Sequence, residues 1–223
     1  MKALLFDFDG TLVDTEGPSY RSWQEIYSEL GHELPLSRWA AAVGTIDGFD
    51  PLVDLQRLVG EGFDPAGTRE RRVRRELELL AAEMLRPGVE HYLRDARELG
   101  LKVGIVSSSS DEWILRNLER VAGDESWDCI VSANHDPERA KPNPLLYLEA
   151  LDCLGVEPDD AIAFEDSPNG IAAAKAAGLV CVAVPNPVTA AYDLSGADLR
   201  LESFEDLPLA ELLGRVVRCQ GLS

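Results

Sequence analysis

Five short apolar runs recur along the chain, each followed by a segment of helical periodicity. They are 3–8 (ALLFDF), 102–107 (KVGIVS), 129–132 (CIVS), 161–164 (AIAF) and 180–184 (VCVAV). Runs of this length that stay apolar on successive residues suit strands covered on both faces, the condition of a parallel sheet. Strands alternating with helices need right-handed crossovers, so the spacing predicts an α/β fold with a doubly wound parallel sheet.

Helix punctuation supports the same reading. Segment 88–99 sets Val89, Tyr92, Leu93, Ala96 and Leu99 on one stripe and stops at Gly100. Ser109 with Glu112 reads as a capping box for a helix carrying Trp113, Ile114 and Leu118. Asn143 before Pro144 opens a helix that ends at Gly155, and Ser167 before Pro168 opens another that ends at Gly178. The alanines of that last helix predict close packing on the sheet.

Residues 17–85 break the alternation. One helical pattern there carries Trp23, Ile26, Tyr27 and Leu30, and a second carries Val73, Leu77, Leu80, Ala81 and Met84. The stretch Gly44-Thr45-Ile46-Asp47-Gly48-Phe49-Asp50-Pro51 between them reads as a loop. The expected organisation is a core of residues 1–16 and 86–223 interrupted by an α-helical cap at 17–85. With 45% apolar residues, the 223-residue chain can build its core without disulfides or structural metal.

The charge balance excludes some partners. Forty acidic against 21 basic residues give a net charge of −19, which repels nucleic-acid phosphates over most of the surface. No apolar run approaches the roughly 18 residues that span a bilayer, and acid arrives too early for a signal peptide, so a soluble, cytoplasmic protein without membrane contact is expected. A monomer is expected, with an oligomer left open. Cys129, Cys153, Cys181 and Cys219 show no CxxC spacing and read as buried free thiols. The five arginines within 69–75 alternate with or precede Glu70, Glu76, Glu78 and Glu83, which predicts a solvated, ion-paired face. His32, His91 and His135 lack metal spacing, with His91 on a helix surface and His135 a candidate for a pocket wall upstream of Lys141. Tyr20, Trp23 and Phe49 read as core or as shapers of a site.

The chemistry concentrates at the carboxyl ends of the predicted strands, where open α/β sheets bind ligands. Asp7-Phe8-Asp9-Gly10-Thr11 closes the first, and Gly10 permits a sharp turn that lets both acids face one crevice. Ser107 ends the second, ahead of the Ser108–Ser110 run. Lys141 lies in a Lys-Pro-Asn-Pro turn after the third, and Glu165-Asp166 ends the fourth. Each has a bland reading alone: a capping turn, a strand-end serine, a surface lysine, helix N-terminal acids. Together they supply a nucleophilic carboxylate, a second acid, a hydroxyl, an ammonium and a metal-binding acid pair, the parts of phosphoryl transfer through a covalent intermediate.

These motifs, in this order, resemble those of the haloacid dehalogenase superfamily, in its phosphatases and phosphomutases with a helical cap after the first motif. The match rests on Asp7-Phe8-Asp9-Gly10-Thr11-Leu12, Ser107, Lys141 and Glu165-Asp166, over residues 1–15 and about 86–210. Phe164-Glu165-Asp166-Ser167-Pro168-Asn169-Gly170-Ile171 and the cap position are most similar to the β-phosphoglucomutase and small-phosphatase branch. The resemblance implies a Rossmann-like core, a small phosphorylated metabolite as partner and magnesium, Mg²⁺, as cofactor. It implies that Asp7 attacks phosphorus and becomes an aspartyl phosphate. Asp9, protonated by like-charge crowding beside Asp7, would serve the leaving oxygen and then take a proton from water. Lys141 and Ser107, the Ser108 amide and the backbone around Gly10 and Thr11 would hold the phosphoryl group. The Asp7 carboxylate, the Asp9 backbone carbonyl and Asp166 would ligate the metal, with Glu165 acting through water. The cap would open and close on hinges near 13–17 and 84–88, marked by Gly17-Pro18 and Pro87-Gly88.

Two alternatives stand beside a phosphatase. A sugar phosphomutase must hold a second phosphate, yet the cap loop offers Asp47 and Asp50 without Lys or Arg, and Ser19 stands where that mutase carries His; Arg38 or Arg57 could substitute. A non-catalytic phospholigand-binding module on this fold is the other. Dehalogenase chemistry is disfavoured by Asp9, since that resemblance carries a non-acid there.

Overall fold

The computed structural model describes residues 1–40, 49–121 and 126–220. Six parallel strands form one sheet: β1 (Ala3–Phe6), β2 (Lys102–Ser107), β3 (Cys129–Ser132), β4 (Ala161–Glu165), β5 (Val180–Ala183) and β6 (Leu199–Arg200), in the order β3-β2-β1-β4-β5-β6. All five strands expected from the apolar runs are present and pair in parallel. β6 escaped the sequence reading because two residues, one exposed, carry no alternation; pairing with β5 alone defines it.

Between β1 and β2 lie α1 (Glu16–Glu29), α2 (Leu36–Ala40), α3 (Pro51–Val59) and α4 (Pro65–Leu80). α5 (Val89–Glu98) completes that connection, the later crossovers carry α6 (Asp111–Val121), α7 (Leu145–Leu154) and α8 (Pro168–Ala176), and α9 (Leu209–Gln220) follows β6. The alternation of strand side chains splits the core in two. Leu4, Phe6, Ile105, Ile162, Phe164 and Val182 meet α5, α6 and α9 on one face. There Phe6 stacks on Phe164 at 4.8 Å between ring centroids, and each wholly buried ring contributes on the order of 2–3 kcal/mol. Ala3, Leu5, Ala161, Ala163 and Ala183 meet α7 and α8 on the other, where Ala173 and Ala174 give the close packing that the alanines predicted.

A third cluster joins Trp23, Ile26 and Tyr27 of α1 to Trp39, Leu52 and Leu55. The two expected helical patterns are α1 and α4, but α4 does not use its apolar stripe: Val73 and Leu77 are exposed, Ala81 and Met84 lie beyond its end, and only Leu80 of the five is buried. Polar contacts hold α4 to α1 instead, with Arg75 on Glu25 at 2.6 Å and Arg71 on Glu29 at 3.4 Å. The ion-paired reading of the arginines holds for these. Of the expected loop, Gly44–Gly48 lies outside the described residues; Asp50 accepts the Leu52 amide at 2.8 Å and Pro51 begins α3, so its end is a helix cap.

Two other expectations change. Ser110, not Ser109, accepts the Trp113 amide at the start of α6, because Asp9 takes the Ser109 hydroxyl. Cys129 and Cys153 form a disulfide between β3 and α7, a pairing across 24 residues that no local spacing announces; Cys181 is buried and free, and the Cys219 side chain lies outside those described. The chain segments entering and leaving α1–α4 run side by side, through a bridge between Val13 and Leu85 and the Arg86 amide on the Leu12 carbonyl at 2.8 Å. Among the described residues no helix is long and apolar enough to cross a membrane.

Candidate active site

The strand order reverses at β1, with β2 on one side and β4 on the other, so the crossovers leave a crevice at its carboxyl end. A cavity of about 790 Å³ opens there. Asp7, Asp9, Ser107, Ser108, Lys141 and Asp166, brought from four separate strand ends, line it. His135 is exposed and outside the lining; Tyr20, Trp23 and Phe49 are also outside it, packed instead in the third hydrophobic cluster.

Lys141 organises the floor. Its Nζ lies 2.6 Å from Asp7 Oδ1, 2.7 Å from Glu165 Oε1 and 2.7 Å from the Val106 carbonyl, with the side chain only 6% exposed. Burial alone would depress the ammonium, but Asp7 and Glu165 outweigh it and hold its pKa above the usual lysine range. Asp7 shows the opposite balance: burial pushes it up to about 7 although Lys141 pulls it down. Burial, then the charges of Asp7 and Glu165, raise Asp166 well above the carboxylate range.

One carboxylate oxygen from each of Asp7, Glu165 and Asp166 lies within 4.8 Å of the others, and Glu165 Oε2 is buried with no hydrogen-bond partner. Three buried acids against one ammonium leave an excess of negative charge in a low dielectric, and an all-oxygen set suits a hard divalent cation. The residues therefore fit Mg²⁺. Asn186 Nδ2 orients Asp166 by donating to its Oδ2 at 2.7 Å, while its own Oδ1 accepts from the Val188 and Thr189 amides. Gly10 makes this approach possible, since a Cβ there would stand 2.2 Å from Asp166 Oδ2 and φ is +84°. Arg86 ties the same turn down, donating to the carbonyls of Gly10 at 2.7 Å, Val184 at 2.8 Å and Pro185 at 2.6 Å.

Three expected residues stand back from the cavity wall. The Gly10 amide donates to the Val13 carbonyl at 2.7 Å, closing the turn. Thr11 is fully buried with its hydroxyl unpartnered. Glu165 lies behind Lys141, its Oε1 also accepting from Tyr147. Asp9 stays outside the acid trio: its Oδ2 accepts from Ser109 Oγ at 2.6 Å and its Oδ1 from Trp113 Nε1 at 2.8 Å. Ser107 Oγ accepts the Ser109 amide at 3.0 Å, and Ser108 Oγ accepts the Lys141 amide at 3.1 Å.

The sequence reading missed the outer wall. Glu16 and Glu76 line it from α1 and α4 beside Ser19, the position noted above for its place in the mutase, and Tyr192 lines it too. Arg72 reaches Ser19 Oγ at 2.7 Å and Glu76 Oε1 at 2.6 Å. Burial, then the charges of Asp9, Asp14 and Glu76, push Glu16 up to about 7 from its ordinary 4.5, against Arg72. An acid raised in the folded state binds its proton more tightly there, so its contribution to stability falls as pH climbs from about 4.5 to 7. Glu16→Gln is expected to gain about 2 kcal/mol over wild type at pH 8 and little at pH 4, read by urea denaturation. Equal differences at both pH values would show that Glu16 is not a desolvated acid.

A family model described as haloacid dehalogenase-like hydrolase matches residues 1–178. YhcW of Bacillus subtilis (strain 168) is 44% identical over 213 residues, covering 96% of this chain and 96% of its own. Hexitol phosphatase B of Escherichia coli (strain K12) is 34% identical over 218 residues, 95% of this chain and 96% of its own. The crystal structure of CbbY from Rhodobacter sphaeroides in complex with phosphate is similar at a TM-score of 0.70 and 30% identity, covering 95% of this chain and 99% of that one.

Proposed function

The chain belongs to the haloacid dehalogenase-like hydrolase family, and from that premise we propose that it is a Mg²⁺-dependent phosphatase, hydrolysing a small phosphomonoester through an aspartyl phosphate on Asp7. The observation that carries the reading is Asp7 on the cavity floor, clamped by Lys141 at 2.6 Å beside two further buried acids. Asp7, Asp166 and Glu165, with the Asp9 backbone carbonyl, would hold Mg²⁺, which supplies charge neutralisation between phosphoryl group and nucleophile.

The chain's own residues do the rest. Lys141 fixes the Asp7 carboxylate and offsets phosphoryl charge, with Glu165 behind it setting the ammonium's position. Ser107 and Ser108 flank the phosphoryl oxygens. Asp7 attacks phosphorus, the bond to the leaving oxygen breaks, and Asp9 delivers that oxygen a proton. Water then attacks the acyl phosphate while Asp9 takes its proton, freeing phosphate and restoring Asp7. We place the boundary of the covering helices at residues 17–85, with closure on the paired segments near 13–17 and 84–88 excluding bulk water during the first step.

Hydrolysis is favoured over mutase chemistry because the cations that could grip a second phosphate are engaged. Arg38 and Arg57 both donate to Asp54 Oδ1, at 2.7 and 2.8 Å, and residues 41–48 contain neither Lys nor Arg. A phosphate-release screen of sugar, polyol and nucleotide monophosphates is expected to find turnover with Mg²⁺ that EDTA lowers to under about 1%. Isomerisation outpacing phosphate release, or turnover that EDTA leaves intact, would overturn the reading.

A further inference from the structure

We infer that Trp113 and Ser109 are positioning residues for Asp9, fixing which of its carboxyl oxygens serves the leaving group. The inference rests on the phosphatase reading above. Both oxygens of Asp9 are engaged by core residues, Oδ1 by the Trp113 indole N–H at 2.8 Å and Oδ2 by the Ser109 hydroxyl at 2.6 Å. The two partners differ chemically. An indole N–H only donates, so the oxygen facing it must be an acceptor; a hydroxyl donates or accepts, so Ser109 tolerates Oδ2 with or without a proton. The pair thus reserves Oδ2 for the proton that Asp9 passes on. That oxygen is also the one turned toward Ser107 Oγ, 3.5 Å away on the cavity wall.

The clamp is rigidly mounted. Trp113 sits in the first turn of α6, its amide held by Ser110 Oγ at 3.3 Å and its carbonyl by Asn117 Nδ2 at 2.9 Å. Its indole packs against the hydrophobic cluster of the sheet, and the Arg116 guanidinium lies 5.7 Å from its ring centroid. Such a mounting is what a group needs to hold a proton donor within the tolerance of a proton transfer.

Leaving groups of different basicity separate positioning from mere support. Protonation matters for an alkyl phosphate, whose alkoxide leaves poorly, and little for p-nitrophenyl phosphate, whose phenolate leaves unaided. Trp113→Phe and Ser109→Ala are each expected to lower kcat/KM for an alkyl phosphate by about 10- to 100-fold while that for p-nitrophenyl phosphate stays within about threefold. Inhibition by inorganic phosphate should be unchanged, and Trp113→Phe should add nothing in an Asp9→Asn background. Should Trp113→Phe fail to fold, Ser109→Ala carries the same test. Equal losses on both esters, or none on the alkyl ester, would overturn the clamp while leaving the phosphatase reading in place. Wild-type protein that hydrolyses neither ester would remove that reading, and the inference with it.

Discussion

Asp7→Asn is expected to lower phosphate release by at least about 10⁴-fold while leaving the protein folded and, at pH 8 in chelator, no less stable than wild type. Loss of the proposed nucleophile would remove the covalent route. The stability half follows from which effect wins at Asp7. Burial drives its pKa up to about 7 from 3.8, and the attraction of Lys141 recovers only part of that. The folded chain therefore holds this proton more tightly than the unfolded chain, and stability drains as pH rises through about 4 to 7. Asparagine has the same shape and no charge to desolvate, while Lys141 keeps Glu165 and the Val106 carbonyl as partners. Rapid quench and mass spectrometry of cycling wild-type protein should find a phosphoryl adduct on Asp7 that the variant lacks. A variant retaining a tenth of wild-type turnover would place the nucleophile elsewhere.

The sheet and the acids of the proposed site were legible because each is written locally. A strand covered on both faces shows as a run such as KVGIVS whatever lies beside it, and the acids follow the first and fourth runs at once. Partners chosen by the fold were not legible. Trp113 and Asp9 are 104 residues apart, and Asn186 and Gly10 are 176 apart; nothing in the text near either says that they meet. Ser109 shows how a local rule misleads, since two neighbouring serines each fit the helix cap and a carboxylate elsewhere decided between them. The apolar stripe expected on α4 failed for a related reason, because its arginines found acids on α1 and left Val73 and Leu77 in solvent.

Lys141→Met should cost the most stability of any single change at the site, about 3–5 kcal/mol at pH 8 in chelator. Methionine keeps most of the volume of the stem, so what is lost is the ammonium between Asp7 and Glu165. The Tyr147 hydroxyl remains on Glu165, but Asp7 loses its strongest counter-charge and its pKa must climb beyond about 7. Lys141 itself, held above the usual lysine range, contributes its full stabilisation across this window and would lose it only in strong alkali. The pH dependence of the deficit therefore belongs to the carboxylate: smaller at pH 5, where Asp7 is protonated with or without Lys141, and growing as pH climbs through about 7 toward pH 8. Urea denaturation at the two pH values measures it, and adding Glu165→Gln to Lys141→Met should recover part of the loss at pH 8 without restoring phosphate release. A deficit of the same size at both pH values would mean that Lys141 matters here for packing, and that the buried charges are balanced by some other group.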